Sequence, residues 1–589
     1  MVNVILILLT AFVNPPAPAY IDPLVLEQFH KHPTADVLVL FKSGTDGWLP
    51  LAGKMETKED KGRFIFEKLR AEARVSQRSV RRHLTRNQIN HRAFFIINGI
   101  HIPAADYPLI EYLSGLEEVA RIEFNSPYAL VKPVQTVSDI RIPESRSPDL
   151  AAEWGIERIQ ADTLWSMGIT GKGTVLGSED TGVELHPAIR GSYRGTLDFN
   201  TLDHHYNWHD AIHSLHPLNK DSTDNPMNNP CGLDVQTPCD DHNHGTHTVG
   251  TMAATDFQIG VAPEAKWIGC RCMERGWGTL TTYIECFEWF LAPTDLNGQN
   301  PDPSKAPHVI NNSWGCPKEE GCNPSNFQTM EQVIRTLKAA GIFVTVSTGN
   351  EGSLGCSSIQ NPPAIYEPSF SVGATAFNDT IASFSSRGPV LTDSSFRIKP
   401  NITAPGVAVR STIRNGAYAA YNGTSMASPH VSGTVALLIS AFPSLAGKVE
   451  LLEDILEKSA EQKTLRFTCG ADSGMVIPNI VYGYGRLNAF RAWKTAKEML
   501  STGIVNSTVV NIRAFPNPFS RGLVFDFAGG TLSGKLLIHD LHGRSMFTQS
   551  FISVDRIELV TSGWASGMYF YKIEAGRRLY TGKVVLVGK

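Results

Sequence analysis

A serine in a run of small residues is the first feature of the chain that could do chemistry. Segment 423–433 reads GTSMASPHVSG, and the apolar residues after it recur at helical spacing. Because proline is tolerated in the first turn of a helix, the segment predicts a helix that begins at about Ser425. The Ser425 hydroxyl would then lie beside N–H groups without intrahelical partners, where an oxyanion can be stabilised. The alternative is a serine that only caps a buried helix.

Two further residues have acid–base chemistry available. Asp180 ends an apolar run, and Gly182 just after it permits a tight turn. Glu179 is its neighbour, but successive strand residues point to opposite faces of a sheet, so only one of the two can face an active-site crevice. We assign Asp180 to that position. A lone aspartate at a strand end is otherwise a capping residue. His244 opens a helix-like segment, and Gly245 beside it leaves room for a partner to approach.

Two more apolar runs end in polar residues. Asn350 lies in the turn-like segment TGNEG at 348–352. Asparagine between glycines is usually a turn residue, but at a strand end its amide could donate to a developing negative charge. The other run ends in NNSWG at 311–315, where unpaired backbone at Ser313 to Gly315 could bind an extended peptide as an added strand. The alternative is an ordinary turn that buries Trp314.

A metal site competes for the histidine-rich segment. Side chains that can ligate zinc crowd there: Asp240, Asp241, His242, His244 and His247. Metals use His-x-His spacing, but neither a third ligand nor the geometry can be inferred from the sequence. A zinc hydrolase built on this cluster therefore stays open as an alternative.

The segments around Asp180, His244 and Ser425 together resemble the three signatures of the subtilisin-like serine proteases, in that family's order. Segments 312–315 and 349–351 stand in their expected places, and 482–488 resembles the entry to the family's closing helix. Glu179 is less usual before the aspartate, and the polar stretch 198–241 is longer than in a minimal member. The resemblance covers about residues 154–500.

The resemblance implies a role for each residue. His244 would take the proton of Ser425 and later protonate the leaving amine, while Asp180 orients the imidazole. Asn350 and the Ser425 N–H would hold the oxyanion. The substrate pocket would be formed by Ser313, Trp314, Gly315, Gly349 and Glu351, and Glu351 at its rim would make basic side chains tolerable.

The family likeness also implies an activity and its requirements. It implies a secreted serine endopeptidase that acts on proteins or peptides through an acyl-enzyme and is made as a self-processed precursor. Catalysis would need no cofactor, whereas structural calcium is possible, with the Asp-rich segment 221–241 as a place for it. A non-enzymatic adhesin on an inactive protease scaffold is the remaining alternative.

The elements that must position these residues alternate between strand and helix. Strands are predicted at 174–178, 266–270, 309–312, 342–347 and 371–375, and helices at 246–254, 281–291 and 329–340. This pattern predicts an α/β domain at 151–502, with a mostly parallel sheet and helices on both faces. Reactive groups of such folds gather at the carboxyl ends of the strands.

The chain before this domain is predicted in three parts. An apolar run and Ala17-Pro18-Ala19 indicate a signal peptide at 1–19, although no basic residue precedes the run; a buried strand is the alternative. Residues 20–135 form an α+β pattern, with strands at 37–41, 94–97 and 119–124 and helices at 61–86 and 107–113. By pattern and position this region resembles the family's inhibitory propeptide, with an activation linker at 136–150.

The tail at 511–589 is rich in predicted strands, at 536–540, 568–574 and 579–586, and this pattern indicates a small β-sandwich. FPNPF at 515–519, GMY at 567–569 and KVV at 583–585 resemble the C-terminal sorting domain of the type IX secretion system. The likeness implies export through periplasm and outer membrane to the cell surface or medium, with the secretion machinery as partner. A generic carbohydrate- or protein-binding sandwich is the alternative.

Composition limits the remaining possibilities. The 589 residues carry a formal net charge of −4, and no basic stretch is interleaved with aromatic residues, so nucleic-acid binding has little support. No apolar run reaches the roughly 18–20 residues that span a bilayer. Nine cysteines leave at least one thiol without an intrachain partner, and Cys231 with Cys239 or Cys316 with Cys322 would close short loops.

Overall fold

The computed structural model describes residues 18–125, 152–501 and 511–587, except 199, 217, 220–228, 471, 529–531, 562 and 576–577. The predicted linker and all but two residues of the predicted signal peptide lie outside this part of the chain. The chain divides into two compact units, residues 1–496 and 497–589. The first unit holds an N-terminal α+β region at 18–125 and a central α/β region from 152 onward.

The N-terminal region is a five-stranded sheet covered by helices. Its strands lie in the order Tyr20–Ile21, Val119–Phe124, Thr34–Phe41, Gly99–Asp106 and Arg92–Phe94. Its longer helices are Pro23–Phe29, Lys58–Ser76, Arg78–Arg86 and Tyr107–Ser114. The strand predicted at 94–97 is wrong in extent, because residues 95–98 form a turn and the strand Gly99–Asp106 follows it.

The central region confirms the predicted parallel sheet. Its seven strands lie in the order Ile402–Pro405, Phe370–Thr375, Phe343–Ser347, Val309–Asn312, Val175–Asp180, Lys266–Arg271 and Trp208–Asp210, and all neighbouring pairs are parallel. Because the strands are parallel, the residues that follow Asp180, Asn312 and Ser347 meet at one edge of the sheet.

Helices flank this sheet, as the alternating pattern predicts. They are Trp154–Ile159, Ala161–Ser166, Pro187–Arg190, His244–Ala253, Leu280–Leu291, Phe327–Ala339, Thr424–Ala441, Val449–Ser459 and Ala489–Ser501. Short antiparallel pairs join Met273–Glu274 to Trp277–Gly278, Val409–Ile413 to Ala417–Tyr421, and Thr468–Cys469 to Asp472–Ser473. None of the described helices is long and apolar enough to cross a membrane.

One hydrophobic core extends from the N-terminal region into the central region. Ile65, Phe94 and Ile96 of the former belong to the same buried cluster as Ile284 and Phe287 of the helix Leu280–Leu291. Burial of such side chains stabilises the packed state by about 1.5–3 kcal/mol each. The two regions of the first unit are therefore held together by a continuous apolar interface.

Disulfides close several loops of the central region. Cys231 is joined to Cys239 and Cys316 to Cys322, the two pairs that would close short loops. Two further disulfides, Cys270–Cys286 and Cys356–Cys469, join segments that are distant in sequence. The remaining cysteine, Cys272, is a buried free thiol.

The second unit confirms the predicted β-sandwich. One sheet has three strands, Asn511–Phe515, Gly522–Ala528 and Arg556–Val560; the other has four, Ser545–Val554, Leu532–Asp540, Gly567–Ala575 and Arg578–Leu586. Alternate residues of the two sheets, such as Phe525 and Ile573, share one apolar core.

Candidate active site

Asp180 lies at the end of the strand Val175–Asp180 and is almost fully buried. Its Oδ1 accepts a hydrogen bond of 2.7 Å from the N–H of Thr181. Gly182 has a positive φ of 103°, and a Cβ on it would lie 1.9 Å from the carbonyl oxygen of Cys239. Only glycine therefore permits the turn that follows Asp180.

His244 is the first residue of the helix His244–Ala253, and its Nδ1 lies 2.7 Å from Asp180 Oδ1. A Cβ on Gly245 would lie 1.9 Å from the carbonyl oxygen of Gly182, so this glycine allows the helix to approach the strand end. The imidazole is 21% exposed, whereas the Asp180 side chain is 1% exposed. One side of the imidazole is thus fixed by a buried carboxylate while the ring still reaches the surface.

The electrostatic surroundings of His244 favour its protonated form. Burial alone would lower the pKa of the imidazole, but the charge of Asp180 and its hydrogen bond outweigh burial, and the pKa is raised from its ordinary 6.5. The ring can therefore take up a proton more readily than an isolated histidine.

The helix that carries Ser425 begins at Thr424, one residue before its predicted start, so Ser425 is its second residue. Pro429 lies in the second turn, so the prediction that this proline occupies the first turn is wrong. Proline at this position has no N–H for the carbonyl of Ser425, four residues earlier. The hydroxyl of Ser313 donates to that carbonyl instead, at 2.9 Å.

The Ser425 hydroxyl is 2.8 Å from the carbonyl oxygen of Ser313, to which it donates. Among the described residues, no hydrogen bond joins Ser425 to His244. The helices that carry the two residues pack together. Gly433 of the second helix allows a close approach of Val261, because a Cβ on residue 433 would lie 2.5 Å from the Cβ of Val261. The structure thus contains the Asp180–His244 hydrogen bond, whereas the Ser425 hydroxyl is bonded to Ser313 and not to His244.

Asn350 is exposed at the end of a loop that follows the strand Phe343–Ser347. Its Oδ1 accepts hydrogen bonds from the N–H and the hydroxyl of Thr424, at 3.0 and 3.1 Å. A backbone N–H can only donate, so the amide oxygen must face Thr424. The Nδ2 group is consequently directed away from Thr424 and remains available to a ligand.

The segment Ser313 to Gly315 follows the strand Val309–Asn312 directly. Trp314 is buried, and its ring stacks on Tyr283 with ring centroids 3.7 Å apart. Glu351 is exposed, and its Oε2 accepts a hydrogen bond of 2.9 Å from the Ser386 hydroxyl. Gly349 adjoins it, since a Cβ there would lie 2.4 Å from the same Oε2.

The residues of the competing metal site have structural partners. His247 is buried, its Nε2 lies 3.0 Å from the carbonyl oxygen of Val409, and burial lowers its pKa to about 3. Asp240 accepts hydrogen bonds from Thr181 and Thr246, and Asp241 forms an ion pair with Arg271. In the part of the chain that the structure describes, no group of three or more His, Cys, Asp or Glu side chains is arranged to hold a metal ion.

The segment proposed for calcium, 221–241, is described only from residue 229 onward. The described aspartates of this segment have protein partners. Asp240 and Asp241 bind protein donors, and Asp234 lies 2.5 Å from Nδ1 of His213.

Glu179 faces away from His244, as strand alternation predicts. It is fully buried, and neither of its carboxyl oxygens has a hydrogen-bond partner. Burial and the neighbouring charge of Asp180 raise the pKa of Glu179 well above its ordinary value. This carboxyl lies on the opposite face of the strand and holds its proton more strongly than an exposed glutamic acid does.

Two protein-family models match parts of this chain. Residues 171–485 match the model of the subtilase family, and residues 513–587 match that of the secretion system C-terminal sorting domain. Bacillopeptidase F from Bacillus subtilis is 35% identical over 502 residues, which are 82% of this chain and 32% of that protein.

Two subtilisins are similar over the central region. Subtilisin E from Bacillus subtilis is 32% identical over 296 residues, 49% of this chain and 62% of that protein. Subtilisin BL from Lederbergia lenta is 33% identical over 295 residues, 49% of this chain and 85% of that protein. The chain thus spans about a third of Bacillopeptidase F and less than two thirds of subtilisin E. The sorting domain identifies a protein that is secreted or carried to the cell surface.

Proposed function

Because this chain belongs to the subtilase family, we propose that it is a serine endopeptidase in which Asp180, His244 and Ser425 form the catalytic triad. The hydrogen bond of 2.7 Å between His244 Nδ1 and Asp180 Oδ1 supports this role most directly. It leaves Nε2 of the imidazole to act on a substrate or on Ser425. A buried carboxylate in this position orients the ring and stabilises its protonated form.

The reaction begins with a rotation of the Ser425 hydroxyl. The hydroxyl leaves the carbonyl of Ser313, to which it donates in the structure, and turns about χ1 toward Nε2 of His244. His244 then accepts the hydroxyl proton while Oγ forms a bond to the substrate carbonyl carbon. The π electrons of that carbonyl move to its oxygen and produce the oxyanion of a tetrahedral intermediate.

Two N–H donors stabilise the oxyanion in this proposal. The amide of Asn350 has its oxygen held by Thr424, so Nδ2 is pre-oriented, and the N–H of Ser425 lies in the first turn of its helix. The intermediate collapses when the C–N bond breaks and His244 protonates the leaving amine. Water, activated by the same imidazole, hydrolyses the acyl-enzyme and restores Ser425.

The substrate would lie along the segment Ser313 to Gly315 as an added strand. Trp314 supports this segment from behind through its stacking on Tyr283. Gly349 and Glu351 flank the pocket for the side chain before the scissile bond. Subtilases need no cofactor for catalysis, and the measurement that would reveal structural calcium is a fall in thermal stability on addition of a chelator.

The N-terminal region acts, in our proposal, as an inhibitory propeptide that the enzyme removes itself. Its contacts with the central region support this role. Glu288 Oε2 accepts hydrogen bonds from the N–H groups of Phe95 and Ile96, at 2.6 and 2.8 Å. Lys58 Nζ donates to the carbonyl of Ala306 at 2.9 Å.

Labelling with a fluorophosphonate tests the triad. We expect purified protein to be modified at Ser425, and chelators to leave the labelling unchanged. A modified peptide elsewhere would contradict the proposal, and inhibition by chelators alone would favour a zinc hydrolase. Absence of both labelling and peptide hydrolysis would favour an inactive adhesin.

Self-processing has a separate test. Ser425→Ala should accumulate a species longer by about 130 residues, the span from the end of the predicted signal peptide at 1–19 to the end of the linker at 136–150. Normal processing of this variant, in a host without other proteases, would contradict autocatalysis. It would not bear on the proposal that Asp180, His244 and Ser425 form a catalytic triad.

A further inference from the structure

A cluster of acidic and imidazole side chains on the central region holds one arginine of the N-terminal region. Glu285, on the helix Leu280–Leu291, is buried, and its Oε1 lies 2.7 Å from His209 Nε2 and 3.0 Å from His213 Nε2. Nη2 of Arg92 lies 2.5 Å from the same oxygen. Asp234 completes the cluster, with Oδ1 2.5 Å from Nδ1 of His213.

The Nε2 atom of His213 has two neighbours that need opposite protonation states. It contacts Nη1 of Arg92, and a guanidinium can only donate hydrogen bonds. It also lies 3.0 and 3.1 Å from the two carboxylate oxygens of Glu285, which can only accept them. A neutral ring with its hydrogen on Nδ1, facing Asp234, satisfies Arg92. A protonated ring satisfies Glu285 and presents an N–H to the guanidinium.

We propose that Glu285, His209, His213 and Asp234 form a guanidinium-binding site that secures the N-terminal region through Arg92, and that a proton on His213 Nε2 competes with Arg92 for this site. At neutral pH the site accepts the guanidinium. Acidification places a second positive charge and an unmatched N–H against Arg92, and the N-terminal region is released more readily.

The surrounding charges support this direction. Burial opposes protonation of His213, but the hydrogen bond and charge of Glu285 outweigh it and raise the pKa of the ring, while the charge of Arg92 lowers it. Despite its burial, Glu285 has a pKa of about 2, because the hydrogen bond from His209 and the positive charge of Arg92 favour its ionised form. By linkage, loss of Arg92 from the site must raise the affinity of His213 for a proton.

One other acid near the cluster has a shifted pKa and must be separated from His213. Glu288 lies one turn after Glu285, and burial raises its pKa to about 8. It is therefore mostly protonated throughout the acid range in which histidine titrates, and it contributes little change there. The stacking of His209 on Trp289, with ring centroids 5.7 Å apart, fixes the second imidazole in place.

The inference rests on the proposed release of the N-terminal region but not on catalysis. The test uses the full chain carrying Ser425→Ala, which cannot process itself if the proposal above holds. Hydrogen exchange of the Phe95 and Ile96 amides reports on the interface, because both donate to Glu288. Each rate is corrected for the intrinsic effect of pH and compared with amides of the strand Gly99–Asp106.

We expect protection of these two amides to fall by about tenfold from roughly pH 7.5 to roughly pH 5.5, as one histidine becomes charged. His213→Gln should remove the fall, because glutamine offers Arg92 an acceptor at every pH. Arg92→Gln should lower protection already at the higher pH. Asp234→Asn, at an exposed position, should move the transition to lower pH, since the charge and hydrogen bond of Asp234 favour the protonated ring.

His101→Gln is the matched control. His101 pairs with Asp36 at 2.7 Å, and the described hydrogen-bond partners of its imidazole, Asp36 and Asn125, both belong to the N-terminal region. A fall in protection that persists in His213→Gln, or a transition that Asp234→Asn leaves in place, would overturn the inference. Failure of Ser425 labelling would instead refute the proposed peptidase and leave these exchange measurements interpretable.

Discussion

Ser313 and Ser425 exchange two hydrogen bonds: each hydroxyl donates to the other residue's carbonyl oxygen, at 2.9 and 2.8 Å. The first bond exists because Pro429 cannot supply the N–H that the Ser425 carbonyl would receive in an unbroken helix. The second holds the Ser425 hydroxyl away from His244. Ser313 therefore supplies the donor that the Ser425 carbonyl lacks, and its own carbonyl accepts the hydroxyl proton of Ser425, the proposed nucleophile.

Removing the Ser313 hydroxyl should destabilise the fold. In an inactive His244→Ala background, Ser313→Ala leaves the Ser425 carbonyl without a donor and should cost about 1–3 kcal/mol in the free energy of unfolding, measured with denaturant. Pro429→Ala restores an N–H at the right place. In that second background the cost of Ser313→Ala should shrink by about 1 kcal/mol, and equal costs in both backgrounds would show that the proline does not determine the bond.

Local signals in the sequence were sufficient for much of this site. Gly182 and Gly245 mark the close approach of strand and helix, and the alternation of strands and helices places the residues after Asp180, Asn312 and Ser347 at one sheet edge. Strand alternation also separates Glu179 from Asp180. Each of these inferences rests on a pattern along the chain and requires no knowledge of which distant residues are in contact.

The features that could not be predicted from the sequence are contacts between residues far apart in the chain and the torsion angle of one side chain. No spacing rule pairs Cys356 with Cys469, which are 113 residues apart. The contact of Arg92 with His213 joins residues 121 positions apart, and nothing near either residue indicates it. The hydroxyl direction of Ser425 is set by one χ1 angle, which sequence patterns do not specify.

The pH dependence of hydrolysis should follow His244. The pKa of His244 is raised above 6.5, so the ring becomes a free base only above that pH. In the pH profile, kcat/KM should therefore rise with pH on the acid side, with a midpoint above pH 6.5. Asp180→Asn removes the charge that raises this pKa. It should lower kcat by about 10⁴ and move this midpoint to lower pH. An unchanged midpoint would contradict the role of Asp180, and Asp256→Asn, at an exposed carboxylate, is the control.

Glu351 should tune the preference at the cleaved bond. Its carboxylate is exposed and anchored by Ser386, so it can reach a basic side chain only as a solvent-screened pair. Glu351→Gln should reduce the kcat/KM ratio of lysyl to glutamyl peptides by about threefold to fivefold, equivalent to about 1 kcal/mol. Glu264→Gln, at an exposed position elsewhere, should not change it. An unchanged ranking in Glu351→Gln would exclude the pocket-rim role.

Export should depend on the C-terminal sandwich. Deletion of residues 511–589 removes the region that matches the sorting domain, and the shortened protein should remain in the periplasm, as measured by fractionation. Phe525→Asp, which places a charge in the buried core of the sandwich, should have the same effect on the intact chain. Ser425→Ala is the control and should be exported normally. Unchanged export of the deletion variant would leave only a binding role for the sandwich.

The buried carboxyl of Glu179 should make stability fall as pH rises. Its pKa is raised in the folded state, so the folded chain keeps a proton that the unfolded chain loses above about pH 4.5. The free energy of unfolding therefore decreases with pH from there to the folded pKa. Glu179→Leu, in the His244→Ala background, removes an unpaired buried polar group and should stabilise by roughly 1–3 kcal/mol, with a gain that grows with pH. Glu157→Leu, at an exposed position, controls for the added apolar side chain. If the gain in the free energy of unfolding of Glu179→Leu did not depend on pH, Glu179 would have to be ionised in the folded protein.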